Sequence, residues 1–534
     1  MGTKNFDNAL DLITFSRTSG GTALRRVGYG SELVTNGTFD TDVSGWTAAN
    51  ASLSIVGGRL RVTNTGAVSG YASFDMSGLV SLGEVFSYGI DGFAGTSNAG
   101  FRLGRSPNAS DYSSSFNSQV GDSGQFVIAT NTNLFFTVRV QTSGIGDYAE
   151  FDNISVKEVI FDRATDPLVL FTHPAEIPRI EYDAAGAVKG LLIEEARTNL
   201  LTYSQDFTDG SWAKTRSSVT LDATGPDGAS NSATTFSDNS SGGTGPVSLA
   251  RNVTVATSTV YTASVFAKAD QLSKLRFNIT NFTTPANGGT DFDLSSGAIT
   301  LNNPNLDSEN IEDCGNGWYR CSVTFTTDAA DTTGSITFYP ALADGGLSVP
   351  RDGTSSILVY GAQLEAGSFP TSYIPTNSGS TVTRAADVAS IPVSAFGYNQ
   401  KAGSVVVEFE VAQSNNIDGI VTLGGETWQG SNSNKVLSAA GTVRHLRVFD
   451  PSGVEILAID AGTTPVGQTV KQAFTVKPRN YSAIIDGGSV VEDASTVAVP
   501  LFTLLGLRHS KATIKSIQYY PRRLSNAQLQ ELTT

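Results

Sequence analysis

At 534 residues the chain is too long for one hydrophobic core, and ordinary domain sizes suggest about three or four domains. Hydrophobic residues at 39% against 16% charged, with 28 Phe and 16 Tyr, exclude a disordered chain. A formal charge of −15 argues against wrapping nucleic acid or coating an anionic membrane, since both need basic patches.

Fifty-five glycines and turn-rich spacers between short Val/Ile/Phe/Thr runs predict an all-β, multi-domain chain built of sandwiches. The N-terminus, Met1-Gly2-Thr3-Lys4-Asn5-Phe6, shows no apolar core of signal-peptide length, and the longest apolar stretch, residues 497–507, contains Pro500. No membrane insertion is expected.

In chain order, residues 1–31 read as a short segment carrying Leu12-Ile13-Thr14-Phe15-Ser16-Arg17-Thr18-Ser19. Residues 32–158 open with Glu32-Leu33-Val34-Thr35-Asn36-Gly37-Thr38-Phe39-Asp40 and Gly45-Trp46, and close with Ala149-Glu150-Phe151-Asp152-Asn153-Ile154-Ser155-Val156. Residues 159–196 contain Glu181-Tyr182-Asp183 and lead into Gly190-Leu191-Leu192-Ile193-Glu194-Glu195-Ala196-Arg197-Thr198-Asn199-Leu200-Leu201.

A repeat follows. Residues 197–376 open with Asn199-Leu200-Leu201-Thr202-Tyr203-Ser204-Gln205-Asp206-Phe207 and Ser211-Trp212, and close with Ile357-Leu358-Val359-Tyr360-Gly361-Ala362-Gln363-Leu364-Glu365. Opening and closing strands that neighbour each other are what a jelly roll requires, so two jelly-roll sandwiches are predicted. Within the second, Asn316-Gly317 as a two-residue turn would set Cys314 opposite Tyr319, leaving Cys314 and Cys321 as free, mostly buried thiols.

A polar linker, residues 377–384, precedes residues 385–534. There, strands are expected at 404–411, 419–423, 436–439, 445–449, 472–476 and 481–485. Ser525 and Gln528 form a capping box, with Leu524 and Leu529 as its staple, so one short terminal helix closes the chain.

Little in the sequence speaks for catalysis, and no enzymatic activity is expected. Glu408 and Glu410 project from one strand face, but sugar cleavage needs carboxylates across the scissile bond, and Val406 and Ala412 occupy the flanking positions. Glu181 and Asp183 are read as structural. His173, His445 and His509 fit no metal-ligand spacing. Of the four tryptophans, Trp46 and Trp212 recur at equivalent places and read as core, and Trp318 is a further candidate. Trp428, on a turn-rich loop with Glu426 and Asn432, is the better sugar-contact candidate.

The run Gly190 to Leu201, continuing through Phe207 and Trp212, resembles a junction in tail and appendage proteins of bacteriophages and prophages, where a short adaptor hands over to a β-sandwich. Residues 12–19 resemble the start of that adaptor and residues 177–194 its end, so the first jelly roll reads as an insertion into it. Both jelly rolls resemble carbohydrate-binding modules. The strand, Arg522-Arg523-Leu524 step and helix at the end resemble a concanavalin-like or laminin-G-like sandwich.

These resemblances imply a structural and adhesive protein of a tailed-phage virion: a tail fibre, spike or baseplate appendage, assembled in the host cytoplasm. It would dock on other virion proteins through its N-terminal adaptor, form a homo-oligomer with a trimer favoured, and display sandwiches to a host glycan. A capsid-decorating head fibre and a secreted glycan-active enzyme or accessory module are the alternatives. No cofactor is implied beyond a structural calcium in the first jelly roll, on oxygens of Asn36, Asp40 and Asp152.

Overall fold

A computed structural model describes residues 13–115, 119–128, 131–285, 288–412, 419–424, 435–439, 445–450, 452–496, 502–507 and 511–534. The fold is all-β and multi-domain. Among the described residues, the α-helix Asn526–Thr533 and the 3-10 turn Val393–Phe396 are the helical elements. No described helix is long and apolar enough to cross a membrane.

The chain forms two compact units, one of residues 26–167 and one of residues 1–25 together with 168–534. In the first, a five-stranded sheet runs in the order Trp46–Ala49, Tyr71–Asp75, Phe135–Val140, Ala99–Gly104, Ser113–Ser115. In the facing sheet, Tyr148–Phe161 lies between Val85–Ala94 and the end of Gly21–Glu32, and also pairs with Arg59–Asn64. Alternation sorts the residues: Phe101, Leu103, Phe136, Val138, Ala149 and Phe151 turn inward and are buried, while Glu150 and Asp152 turn outward.

The larger unit holds two further sandwiches. One packs the six-stranded sheet that contains Val260–Ala269 and Ser356–Ala366 against the six-stranded sheet that contains Lys274–Thr280 and Thr333–Ala341. Its core is almost fully buried, with Trp212, Phe236, Phe277, Phe292, Phe325 and Phe338 at its centre. Burying each such ring contributes roughly 1.5–3 kcal/mol.

The repeat in the sequence is a repeat of contacts. Leu33 N donates to Val156 O at 2.9 Å, and Leu200 N donates to Leu364 O at 2.8 Å, so each opening segment hangs on its closing strand. The Trp46 indole N–H donates to Asn36 O at 2.9 Å and that of Trp212 to Tyr203 O at 3.0 Å. Phe39 lies 5.6 Å from Trp46, and Phe207 lies 4.8 Å from Trp212. Both tryptophans are core residues.

The final sandwich has two seven-stranded sheets, and here the structure corrects the expected boundaries. Thr14–Ser16 pairs with Val388–Pro392, and Arg179–Tyr182 and Val188–Glu194 complete the opposite sheet through Lys511–Tyr520. Of the described residues read as adaptor, Gly21–Glu32 and Leu168–His173 belong to the sheet that carries Tyr148–Phe161, whereas Thr14–Ser16, Arg179–Tyr182 and Val188–Glu194 are strands of the last sandwich. The physical reason is Leu191 and Ile193, which face its core and would otherwise be exposed apolar side chains on an unpaired edge. The linker expected at 377–384 is likewise partly a strand, because Val382–Arg384 pairs with Arg197–Asn199.

Six strands expected in the last third are present at Gly403–Val411, Gly419–Gly424, Lys435–Ala439, Leu446–Phe449, Val470–Val476 and Tyr481–Ile485. The capping box of Ser525 and Gln528 is formed, and Leu524 and Leu529 seat the helix on Val406, Ala473 and Ile484. The thiols of Cys314 and Cys321 are free. Their hairpin differs by one residue from the expected register: Asp313 pairs with Tyr319, and Cys314 N donates to Trp318 O at 2.9 Å. Three residues, Gly315, Asn316 and Gly317, all with positive φ, make the turn.

Candidate functional site

Glu194, in the middle of the junction motif, is the hub of a buried charge network. It ends the strand Val188–Glu194, whose odd residues Leu191 and Ile193 enter the sandwich core, so alternation sends Glu194 to the opposite face. There its carboxylate meets Arg179 at 2.9 Å and Arg384 at 3.5 Å and accepts from Ser372 N at 2.8 Å and Ser372 Oγ at 2.6 Å. Asp387 joins Arg179 at 2.5 Å and Arg17 at 3.1 Å, and accepts from Glu194 N at 2.8 Å.

The side chains of Arg17, Arg179, Glu194 and Asp387 have no solvent exposure. Burial opposes ionisation of Glu194, but the Arg384 and Arg179 guanidiniums outweigh it and hold the carboxyl well below the usual carboxylate range. His173, close by, is held neutral by burial first and then by Arg25, whose Nη1 is 3.1 Å from its Nε2. Removing one partner of such a network leaves an uncompensated charge, so its members hold one another in place.

Asn199 continues the same work. Its side-chain amide donates to Ala362 O at 3.1 Å and Ile374 O at 2.9 Å and accepts from Leu201 N at 3.0 Å and Leu364 N at 3.2 Å. The junction thereby joins the last sandwich to the closing strand of the one before it.

Beside this network lies a cleft of about 770 Å³. Its floor is the outer face of the sheet that carries Glu181 and Glu410, and its other wall includes Glu312 and Arg320. Glu181 sits opposite Gly190 in the ladder. A Cβ at Gly190, whose φ is +135°, would lie 2.3 Å from Ile514 O, so only glycine fits, and the carboxyl has no side-chain neighbour at that register position.

Burial pushes the Glu181 carboxyl up to about 7, with Glu312 adding to the rise while Lys511 and Lys189 oppose it. Its hydrogen bond from Leu24 N is long, 3.4 Å. Lys189 pairs with Glu410 at 2.9 Å, and Glu408 with Lys515 at 2.8 Å, so the two carboxylates expected on one strand face do share it, each with its own lysine.

The sequence treated Glu181 as structural and Glu410 as a solvated face; the structure brings both to one cleft. Periodicity alone gives each strand's outer face but not which outer faces meet. The available signal was Gly190, the small residue within a run of large apolar ones.

The calcium candidates are differently engaged. Asn36 turns its side-chain NH₂ toward Asp42 O at 3.0 Å and Ser44 O at 3.1 Å, Asp40 accepts from Thr38 Oγ1 at 2.7 Å, and Asp152 accepts from Asn153 N at 2.8 Å. The described residues contain no group of three or more His, Cys, Asp or Glu able to hold a metal ion. Trp428, Glu426, Asn432 and His509 lie outside the described residues. His445 is buried, its Nδ1 accepting from Ala461 N at 3.1 Å, and Trp318 packs with Tyr360 and Phe266.

No protein-family model matches the chain, and no curated protein sequence does. Among solved structures, it is similar to the N-terminal tandem CBM22-1–CBM22-2 domain of Paenibacillus barcinonensis Xyn10C, at 13% identity over 65% of this chain and 100% of that one, with a TM-score of 0.21. It is also similar to the Trypanosoma rangeli sialidase, at 10% identity over 97% of this chain and 98% of that one, with a TM-score of 0.22.

Proposed function

We propose that this chain is a structural and adhesive component of a tailed-phage particle: a fibre, spike or baseplate appendage whose sandwiches present a glycan-binding surface to the host. The observation that carries the reading is the junction motif. The segment that resembles an appendage junction is the same segment whose Glu194 and Asn199 lock one sandwich to the next through buried ion pairs and hydrogen bonds. An arm that must hold a recognition surface away from a particle needs stiff joints between modules, and buried ion pairs with fixed hydrogen bonds supply geometry more than net stability.

In this reading the chain binds other virion proteins, assembles as a homotrimer and performs no catalysis. Gold-labelled antibody against the purified chain should decorate particle appendages, and the purified chain should compete with particles for adsorption to host cells. Particles that stay unlabelled while host lysate fractions label would refute the virion assignment. Undiminished adsorption at saturating protein would refute adhesion. Light scattering of the purified chain reads the trimer directly.

A further inference from the structure

We infer that the edge strand Ala51–Val56 of the first sandwich pairs antiparallel with the same strand of a second copy of this chain.

Sheet edges are normally blunted, because a row of open N–H and C=O groups is a template for another strand. In the sheets of five or more strands, the other described edge strands are three or four residues long, carry a charged residue, or, at Leu168–His173, lie largely buried. Ala51–Val56 is the exception: six residues, Ala-Ser-Leu-Ser-Ile-Val, with no charge, no proline and no break in register. It pairs with Arg59–Asn64 on one side and turns at Gly57 and Gly58, where an added Cβ would meet nothing within 4 Å.

The open groups can be named. Thr65 N donates to Asn50 O at 2.9 Å, so in the ladder that follows, Ser52 with Thr63 and Ser54 with Arg61 are the hydrogen-bonded pairs. The N–H and C=O groups of Ala51, Leu53 and Ile55 therefore point away from the sheet, and they have no partner among the described residues. The side chains agree. Ser52, Ser54 and Val56 are exposed, whereas Ala51, Leu53 and Ile55 pack on the core yet stay only half-buried. A further strand would complete their cover.

Symmetry and charge select a second copy as that strand. With Leu53 on a two-fold axis, Leu53 meets Leu53 and Ala51 meets Ile55, so every open group finds its complement and about six backbone hydrogen bonds form. The same register sets Ser52 against Ser54 on the outer face and keeps the apolar side chains on the inner one. A formal charge of −15 opposes contact between copies in general, but residues 43–74 contain no Asp or Glu. The nearby Arg59 and Arg61 are balanced by Glu150 at 3.7 Å and 2.6 Å. Like strands meet here without like charges meeting.

This contact is independent of the adhesive reading and of its trimer: a trimer held by other surfaces would join a second trimer through it, and the mass would still double.

The test is sedimentation of the full chain from about 1 to about 100 µM, with amide hydrogen exchange of residues 50–57 followed over the same series. The mass should double as the concentration rises, from 55.9 kDa or from that of the trimer, and exchange at Leu53 and Ile55 should slow about tenfold in step. Ser54→Lys alters an exposed side chain, leaves the fold in place, and should weaken the association about tenfold by setting like charges beside the axis. Leu53→Pro removes an N–H that the single chain leaves open and should abolish it. Ser54→Thr should associate as wild type does.

Doubling that is equal in wild type and Ser54→Lys would place the contact elsewhere, and no doubling at the top of the series would remove it; either result overturns the pairing and leaves the adhesive reading standing. Exchange at Leu53 and Ile55 that is slow at every concentration would mean that the chain covers its own edge. Slowing that appears only on addition of host lysate would assign the edge to a foreign strand. Both also overturn it.

Discussion

Replacing Glu194 by Gln removes one carboxylate from a network in which Arg179, 2.9 Å away, and Arg384, 3.5 Å away, have side chains with essentially no exposure. The amide still fills the space and can still accept from Ser372, so the loss is mainly the charge. Breaking a buried pair on one side costs about 3–5 kcal/mol. The larger unit has about 390 residues, and at about 2.1 cal/mol/K of unfolding entropy per residue a 4 kcal/mol loss lowers its midpoint by about 5 °C. Differential scanning calorimetry should show that shift in one transition and leave the transition of residues 26–167 in place. The folded carboxyl titrates below its unfolded value, so its contribution is present above about pH 4.5 and is lost as the pH falls; the gap between variant and wild type should therefore narrow from about pH 5 toward about pH 3. A midpoint within about 1 °C of wild type at neutral pH would refute the idea that the network fixes this junction.

Other outcomes follow from the same geometry. Gly190→Ala places a Cβ 2.3 Å from Ile514 O and should cost about 3 kcal/mol or more, read by the same calorimetry. Glu181→Gln should act in the opposite direction: its folded carboxyl titrates above its unfolded value, so wild-type stability falls as the pH rises from about 4.5 to about 7, and the variant should be the more stable at about pH 8, on the order of 2 kcal/mol after allowing for partial exposure, and equal at about pH 4. Millimolar calcium should leave the melting of residues 26–167 unchanged, because Asn36 presents its NH₂ to two carbonyls; a rise of several degrees would restore the calcium expectation at Asn36, Asp40 and Asp152.

What could be read from the residues was whatever local alternation and turns determine. The strand Gly403–Val411 alternates inward Val405, Val407 and Phe409 with outward Glu408 and Glu410, and the capping box names its helix unaided. The repeat was legible because each unit opens on a strand followed by a Phe and Trp pair, and in each the indole N–H returns to a carbonyl of that opening segment, ten residues back for Trp46 and nine for Trp212. Pairing across hundreds of residues was not. Nothing within residues 177–194 says that their partner is Lys511–Tyr520, whose first residues line the cleft beside Glu181. Cys314 shows the same limit on a small scale, since a three-residue turn and a two-residue turn draw on the same Gly-Asn-Gly run and differ by one step of register.

The pairing of Val188–Glu194 with Lys511–Tyr520 also sets a schedule for synthesis. At roughly 5–20 residues per second, the interval between translating Glu194 and translating Lys511 is roughly 15–60 s, long against the time in which a sandwich collapses. Residues 26–167 carry the partners of their inner strands among themselves and can close early, whereas Leu191 and Ile193 wait on an open edge until the last strand emerges. The joint is complete only once that strand is in place and Arg17 and Arg179 have met Asp387.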